Sequence, residues 1–311
     1  VCNFSEEDCE LVSLQAAQQI LPKGFVSALD AEQVLAHKWC LLSVGCPKLD
    51  EFLGGGVAVR GITELAGESG SGKTQLCLQM CLSVQYPEIN GGLGAGSVYI
   101  NTEDIFPSRR LHQLIQKFPS RFHSEDTSIQ FGNNIFIEHI ADVESLKKCV
   151  FGQLPQLLAQ KSVGLIVVDS IAGVFRADFE PRDSVSRAKE MRAVGSQLHR
   201  LAEEFRVAII CVNQANQSHI IFLQVTTVIN NERSAGDNTG RKTVAALGLA
   251  WANMVTTRLQ VSRTNRSVTD AKGTSMPVRM LEIIFSPDKP PRSCHFVVTE
   301  AGVSAVSNVN E

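Results

Sequence analysis

The chain has 311 residues, of which 44% are hydrophobic and 20% are charged, and its formal net charge is -3. This composition supports a large buried core and excludes a fibre or a disordered tail. The near-neutral charge gives no overall sign of nucleic-acid binding, so any DNA contact has to come from local basic clusters. The nine cysteines form no C-x-x-C pair, which favours a reduced intracellular compartment over disulfides or zinc. No stretch reaches the apolar length of a membrane span.

The chain divides into a short N-terminal segment, a linker and a core. Residues 1–21 are predicted to be the remnant of an N-terminal helical domain, because an acidic start at residues 5–8 precedes apolar positions at helical spacing. A single helix cannot bury its apolar face alone, so we expect further chain upstream of it. Residues 22–45 are predicted to be a linker, and residues 46–311 to be one α/β core.

Within the core, strand-like apolar runs alternate with helical patterns, which is typical of a parallel sheet covered on both faces. The predicted strands are residues 62–66, 97–101, 134–139, 164–169 and 207–213, and the predicted helices are residues 75–84 and 184–205. Residues 215–246 are rich in polar residues and glycine, and a loop of this length is expected to be functional or disordered. Later runs at 254–260, 278–285 and 295–299 predict antiparallel strands that close the sheet.

A complete phosphate-loop motif lies between the first predicted strand and the first predicted helix. Its residues are Gly67, Glu68, Ser69, Gly70, Ser71, Gly72, Lys73 and Thr74. In such a loop the backbone N–H groups point at phosphate oxygens, Lys73 reaches the terminal phosphates and the Thr74 hydroxyl holds Mg²⁺. The alternative is a Gly/Ser-rich loop that matches by accident. The strand before it and the helix after it favour a nucleotide site.

Polar side chains follow three other predicted strands, where a phosphate-loop enzyme needs them. Asp169 ends an apolar strand and is predicted to bind Mg²⁺ directly or through water. Glu103 follows the second strand and is either the carboxylate that activates the attacking water or a solvated acid at a helix N-terminus. Asn213 and Gln214 end a later strand, where an amide could sense the γ-phosphate and pass its presence to the following loop.

Several segments together resemble the RecA-type recombinases, and among these the eukaryotic recombinase paralogues. They are residues 61–67 (GITELAG), 72–75 (GKTQ), 98–104 (VYINTED), 135–139 (IFIEH) and 248–253 (GLAWAN). The resemblance runs from about Gly24 to the C-terminus. It implies a RecA-like phosphate-loop ATPase core, in which a twisted, mostly parallel sheet is flanked by helices and extended by antiparallel C-terminal strands.

The resemblance also implies roles for individual residues around ATP and Mg²⁺. Glu103 matches the water-activating glutamate, Asp169 the second metal-site carboxylate and Gln214 the glutamine that senses the γ-phosphate. Arg110 falls where the family stacks an arginine on adenine. Pro287 lies in a segment, residues 286–291, that resembles the one capping ATP held by a neighbouring subunit.

Two DNA-binding loops are implied by the same resemblance, one around residues 176–192 and one over residues 215–246. The candidate DNA-binding residues in them are Arg176, Arg182, Arg187, Arg233 and Arg241. The basic side chains of the predicted helix 184–205 either contact DNA phosphates or only form a face exposed to solvent. The first loop carries Pro181 and extra acidic residues where strand-exchanging recombinases are glycine-rich. This departure argues against autonomous filament formation and strand exchange.

Phe25 and Ala28 resemble the linker motif that joins recombinase protomers. The alternative is that these linker residues pack against the chain's own domain. The resemblance implies a heterodimer with another paralogue, the C paralogue, and contacts with the recombinase itself. It also implies binding of single-stranded or branched DNA and no membrane partner. It implies a nuclear protein that is also present in the cytoplasm and the mitochondrion.

The implied function is homologous recombination repair of double-strand breaks and crosslinks, with slow DNA-dependent ATP hydrolysis. An ATP-gated scaffold subunit with negligible turnover, which stabilises recombinase filaments, is the alternative that the sequence does not separate. A metabolic phosphate-loop kinase is a third hypothesis. The long polar loop after Gln214 argues against it.

Overall fold

A sheet of nine strands forms the centre of the fold. The computed structural model describes residues 40–103, 105–119, 129–178, 183–214, 247–269 and 273–306. The strands of the sheet are β3 (Ile62–Gly67), β4 (Gly96–Asn101), β5 (Ile135–His139), β6 (Val163–Asp169), β7 (Ala208–Gln214), β8 (Thr257–Thr269), β9 (Ser275–Phe285), β10 (Arg292–Thr299) and β11 (Gly302–Ala305). Their spatial order is β11-β10-β9-β8-β3-β7-β6-β4-β5.

The sheet is parallel from β8 to β5 and antiparallel from β8 to β11. The predicted α/β class and the predicted strands of the parallel half are therefore confirmed. The strand predicted at residues 254–260 differs most from the structure, because β8 starts at Thr257, continues to Thr269 and runs parallel to β3. Its second half is mostly exposed and polar, so the apolar pattern ends before the strand does.

Eight α-helices lie in the described part of the chain. They are α1 (Pro47–Phe52), α2 (Lys73–Ser83), α3 (Ser108–Lys117), α4 (Val143–Lys148), α5 (Leu154–Gln160), α6 (Ile171–Ala177), α7 (Ser184–Phe205) and α8 (Leu249–Ala252). A π-helical turn, Cys149–Gln153, joins α4 to α5. The helix predicted at residues 184–205 is confirmed as α7. None of the helices in the described ranges is long and apolar enough to cross a membrane.

Two apolar layers cover the two faces of the sheet, as the alternation of its strands requires. Leu165 and Val167 of β6 pack into the layer that contains α2, whereas Ile166 and Val168 pack into the layer that contains α7. Burial on both faces explains why β6 is a continuous apolar run rather than an alternating one. Five cysteines of the described part are free and buried in these layers; they are Cys46, Cys77, Cys81, Cys149 and Cys211.

The larger compact unit of the chain begins at Leu41, and the predicted division into a linker over residues 22–45 and a core from residue 46 stays a prediction. The chain divides into the units Val1–Cys40 and Leu41–Glu311. A two-residue strand β1 (Leu41–Leu42) pairs with β2 (Val57–Ala58), and Leu42 and Val44 are fully or almost fully buried. The predicted N-terminal helix and residues 22–39 of the predicted linker lie outside the described residues.

Candidate nucleotide-binding site

A cleft of about 600 Å³ opens at the carboxyl edge of the parallel strands, where ligands bind in sheets of this kind. It has the size of a typical small-molecule site, about 300 to 1,000 Å³. Its lining is part polar and part apolar, and comes from the loop after β3, from the ends of β4, β6 and β7, from α2 and α3, and from the antiparallel strands. The lining residues include Ser69, Gly70, Gly72, Lys73, Thr74, Gln75, Asn101, Glu103, Arg110, Asp169, Gln214 and Arg279.

The phosphate loop connects β3 to α2 in the way that its sequence predicts. Gly67 has a φ of +155°, and a Cβ added there would lie 2.1 Å from the carbonyl oxygen of Val261 on β8. Gly72 precedes α2 with a φ of +109°. No side chain is tolerated at Gly67 without moving the neighbouring strand, so glycine there keeps the loop close against β8.

Lys73 folds back over the loop that contains it. Its Nζ donates hydrogen bonds of 2.8 Å to the carbonyl oxygens of Gly67 and Glu68. The side chain is buried, and this burial lowers the pKa of Lys73 despite the nearby carboxylates of Asp169 and Glu103. A desolvated cation held by two carbonyl groups can bind an anionic oxygen strongly, because little water has to be displaced from it.

Asp169 and Thr74 form an oxygen pair beside Lys73. The Thr74 hydroxyl donates to Asp169 Oδ2 at 2.9 Å, and the Tyr99 hydroxyl donates to the same oxygen at 2.5 Å. Burial raises the pKa of Asp169 above its ordinary value, although both hydrogen bonds act in the opposite direction. A carboxylate and a hydroxyl are ligands suited to Mg²⁺, which also keeps several waters, so the pair fits the predicted metal site.

Glu103 lies at the end of β4 and accepts hydrogen bonds on both carboxylate oxygens. Ser170 Oγ donates to Oε1 at 2.6 Å, and the Gln214 amide donates to Oε2. Arg176 Nη2 lies 3.9 Å from Oε1. The Ser170 backbone is fixed in turn by Thr102, whose hydroxyl accepts from Ser170 N–H at 2.8 Å and donates to its carbonyl at 2.6 Å. The structure therefore brings the predicted catalytic carboxylate and the predicted sensor into direct contact.

Arg110 lies on α3 at the other end of the cleft. It donates to Gln75 Oε1 at 2.7 Å and to the carbonyl oxygen of Thr299 at 2.6 Å, which fixes the guanidinium between α2 and the end of β10. Pro287 is exposed on the turn between β9 and β10 and does not line the cleft of its own chain. Its role toward a neighbouring subunit stays a prediction.

The predicted DNA-binding residues are only partly described. Arg176 faces Glu103, as noted above, and its Nε donates to the carbonyl oxygen of Ala172 at 3.2 Å. Arg187 is half-buried on α7, and its Nε has no hydrogen-bond partner among the described residues. Their contact with DNA stays a prediction. The remaining predicted residues lie outside the described ranges; they are Arg182, Arg233, Arg241, Phe25 and Ala28.

Sequence reasoning missed several side chains in or behind the lining of this cleft, among them Tyr99 and Arg279. Tyr99 is fully buried on β4 beside β6, where its hydroxyl reaches Asp169. A tyrosine between the apolar residues Val98 and Ile100 of a predicted strand is a signal that could have found it, because a buried hydroxyl needs a partner. Arg279 belongs to no motif, and only the pairing of β9 brings it to the cleft.

Comparisons with known proteins agree with this geometry. A profile described as Rad51 matches residues 36–306. The chain is 44% identical over 269 residues to "DNA repair protein XRCC3" of Mus musculus, covering 84% of this chain and 74% of that protein. It is 30% identical over 282 residues to "DNA repair protein rhp57" of Schizosaccharomyces pombe, covering 84% of this chain and 78% of that protein.

An archaeal protein is also similar. The chain is 30% identical over 291 residues to "DNA repair and recombination protein RadA" of Aeropyrum pernix, which covers 93% of this chain and 81% of that protein. The matched regions include the phosphate loop and the strands that carry Glu103, Asp169 and Gln214, because the Rad51 profile spans residues 36–306. The chain belongs to the Rad51 family, among its RecA-type recombinase paralogues.

Proposed function

We propose that this chain acts in repair of DNA by homologous recombination as an ATP-binding recombinase paralogue with slow hydrolysis. Relatives named for DNA repair, together with one named for repair and recombination, support the biological process. The site supports the chemistry. The observation that carries the proposal is the contact between Glu103 and Gln214 in the cleft that also contains Lys73, Thr74 and Asp169.

The predicted site residues of the cleft divide the tasks of ATP hydrolysis among them. Lys73 and the loop N–H groups bind the phosphates, and Thr74 with Asp169 would hold Mg²⁺, whose charge offsets that of the phosphates. The Glu103 carboxylate orients the attacking water and accepts its proton. Gln214 holds that carboxylate by donating to it and lies at the end of β7, so its amide can respond to the γ-phosphate.

Slow turnover follows from how fully Glu103 is already bonded. Ser170 and Gln214 each occupy one of its carboxylate oxygens, and Arg176 adds a positive charge nearby. A carboxylate oxygen that already accepts hydrogen bonds from the protein has fewer lone pairs free to orient and deprotonate a water. Hydrolysis therefore becomes faster only if Gln214 or Arg176 moves away from Glu103, which gives a partner or DNA a place to act.

Substitution of Glu103 tests this function. Glu103→Gln should lower phosphate release by about 10²- to 10⁴-fold, the contribution of a positioned general base, while ATP binding stays intact. Lys73→Ala serves as the control that loses nucleotide binding. Both should be measured with the chain alone, with a co-purified paralogue and with single-stranded DNA. If Glu103→Gln hydrolyses ATP at the wild-type rate in every case, the hydrolytic assignment is wrong.

The same experiment separates the second candidate function, an ATP-gated scaffold that stabilises recombinase filaments. That function predicts hydrolysis at background in the wild type and in Glu103→Gln, while ATP still strengthens the complex with the partner. The observation that favours this scaffold function is that both carboxylate oxygens of Glu103 already accept hydrogen bonds from the protein.

Partners and location complete the proposal. We expect a heterodimer with the C paralogue through Phe25 and Ala28, contacts with the recombinase, and binding of single-stranded or branched DNA through residues 176–192 and 215–246. Among the described strands, β5 pairs on one side only, with β4. An open strand edge is able to accept a strand from a neighbouring linker. We also expect the protein in the nucleus, where DNA repair of this kind occurs, with further pools in the cytoplasm and the mitochondrion.

A further inference from the structure

Two arginines face each other next to the phosphate loop. Arg263 of β8 and Arg279 of β9 are direct cross-strand partners in the antiparallel pair. Like charges in this arrangement repel each other and destabilise the pair unless anions lie close to them. Gly67, where the loop begins, pairs with Val261 on the same strand β8, so both arginines extend beyond the carboxyl end of β3 at the level of the loop.

An internal anion neutralises only the first of these arginines. Arg263 Nη2 donates to Glu68 Oε2 at 2.9 Å, and its backbone N–H donates to Oε1 at 3.0 Å. This contact lowers the pKa of Glu68, because the hydrogen bonds from Arg263 favour the ionised carboxylate. No carboxylate of the described residues lies within ion-pair distance of Arg279. The loop therefore neutralises one charge of the pair and leaves the other.

The Arg279 side chain is half-buried against the loop and incompletely bonded. A Cβ added at Gly72 would lie 3.2 Å from Arg279 Cδ and 3.5 Å from its Nε. The guanidinium donates from Nη1 to the carbonyl oxygen of Pro277 at 3.2 Å, whereas Nε is buried and has no hydrogen-bond partner among the described residues. Burial, with a smaller effect of Arg263, lowers the pKa of Arg279. An unpaired, partly desolvated cation that lines a polar cleft is a group that an anionic ligand would satisfy.

The sheet order decides which part of a nucleotide Arg279 would meet. Glu103 follows β4, and Asp169 and Gln214 end β6 and β7; all three lie on one side of β3 and mark the γ-phosphate end. Arg279 lies on β9, on the opposite side of β3. Arg110, the predicted adenine contact, is bonded to the end of β10 on that same side. Arg279 is thus nearer to the base end of the cleft than to the γ-phosphate end.

We propose that Arg279 is a nucleotide-binding residue of the chain's own cleft, where its guanidinium contacts the α- and β-phosphates of bound ATP or ADP. The proposal rests on the nucleotide site proposed above. Arg279 would thus contact the phosphates that ATP and ADP share. The residues that distinguish ATP from ADP would be those on the other side of β3, near the γ-phosphate. The loop then binds a polyphosphate between Lys73 in its own helix and an arginine from the antiparallel strands.

Calorimetric titration of the purified chain with Mg²⁺–ATP and Mg²⁺–ADP tests the proposal. Arg279→Gln removes the charge and keeps most of the side-chain volume, and we expect it to weaken both nucleotides by a similar factor of about 10 to 100, the range for a charge-assisted hydrogen bond to phosphate. Arg279→Lys should recover part of the loss. Arg266→Ala, an exposed arginine of the same hairpin, is the matched control and should change affinity less than about twofold.

Thermal unfolding supplies a readout that a merely structural arginine would not give. Without nucleotide, Arg279→Gln should unfold at a higher temperature than the wild type, because it removes a partly buried cation that has no anionic partner among the described residues. Saturating nucleotide should raise the unfolding temperature of Arg279→Gln by less than it raises that of the wild type. A variant that unfolds earlier without nucleotide and keeps wild-type affinity would overturn the proposal.

The remaining outcomes are also decisive. A loss of ATP affinity with unchanged ADP affinity would place Arg279 at the γ-phosphate and refute the assignment to the shared phosphates. Unchanged affinity for both nucleotides, together with lost binding in Lys73→Ala, would overturn the role of Arg279 and leave the proposed function standing. A wild-type chain that binds neither nucleotide would contradict the proposed function, and this proposal with it.

Discussion

Replacement of Glu64 should destabilise this protein more than replacement of most other charged residues. Glu64 lies in the middle of β3 with no exposed surface. Its Oε1 accepts from Asn213 Nδ2 and from Trp251 Nε1, both at 2.8 Å, and its Oε2 accepts from Arg258 Nε. The network joins β3 to β7, α8 and β8 inside the layer that contains α7. Glu64→Leu removes the acceptor of three buried donors at once.

The expected loss can be worked out from these contacts. Removing one partner of a buried ion pair costs about 3 to 5 kcal/mol, because the other charge is left without compensation. Arg258 already has one buried nitrogen, Nη2, without a hydrogen-bond partner among the described residues, so little else is present to stabilise it. A domain of ordinary stability has only about 5 to 15 kcal/mol in total. Glu64→Leu should therefore remove a large share of the folding free energy.

Urea denaturation followed by circular dichroism measures this loss, and a double-mutant cycle shows its origin. Arg258→Met alone should be milder than Glu64→Leu, because Asn213 and Trp251 still donate to the carboxylate. The double variant should lose at least about 2 kcal/mol less than the sum of the single variants, since neither charge remains buried alone. If Glu64→Leu loses less than about 1 kcal/mol, or if the two losses add, the buried network does not hold these strands together.

Three further predictions concern the cleft and the linker. Asp169→Asn should raise the unfolding temperature of the nucleotide-free chain at pH 7 and weaken stabilisation by Mg²⁺–ATP. The pKa of Asp169 is raised above 3.8, so the wild type loses stability as the pH rises through that raised value. The difference in unfolding temperature between Asp169→Asn and the wild type should therefore shrink on acidification. Arg110→Ala should weaken ATP about 2- to 30-fold through the lost ring contact, with inorganic tripolyphosphate binding unchanged; equal losses for both ligands would contradict adenine stacking. Phe25→Glu should release the partner paralogue on gel filtration and leave ATP binding unchanged, and an intact complex would count against the linker interface.

Local sequence patterns predicted the parts of the site that depend on local geometry. The phosphate loop needs only its own residues, the strand before it and the helix after it, so the motif was sufficient to place Lys73 and Thr74. Asp169 was predictable because a strand brings its last residue to the edge of the sheet. The α/β class followed for the same reason, from the alternation of apolar runs along the chain.

Contacts between distant segments could not be predicted in this way. Glu64 meets its partners across 149 to 194 residues of sequence, and its position in β3 gives no sign of which strands will flank it. The contact of Glu103 with Gln214 spans 111 residues and crosses β6, which lies between their strands. Arg279 becomes a cleft residue only through the register of β9 on β8. Each of these depends on strand order, which residue patterns do not encode locally.

The end of β7 limits how a nucleotide signal can travel through this fold. Asn213 and Gln214 are consecutive residues of one strand, so their side chains point to opposite faces of the sheet. Asn213 is bound to Glu64 in the buried network, whereas Gln214 is bound to Glu103 in the cleft. Because Glu64 also holds Trp251 and Arg258, β7 cannot shift without breaking a fully buried set of hydrogen bonds. A response to the γ-phosphate should therefore involve the Gln214 side chain and the residues after it, with the strand itself remaining in place.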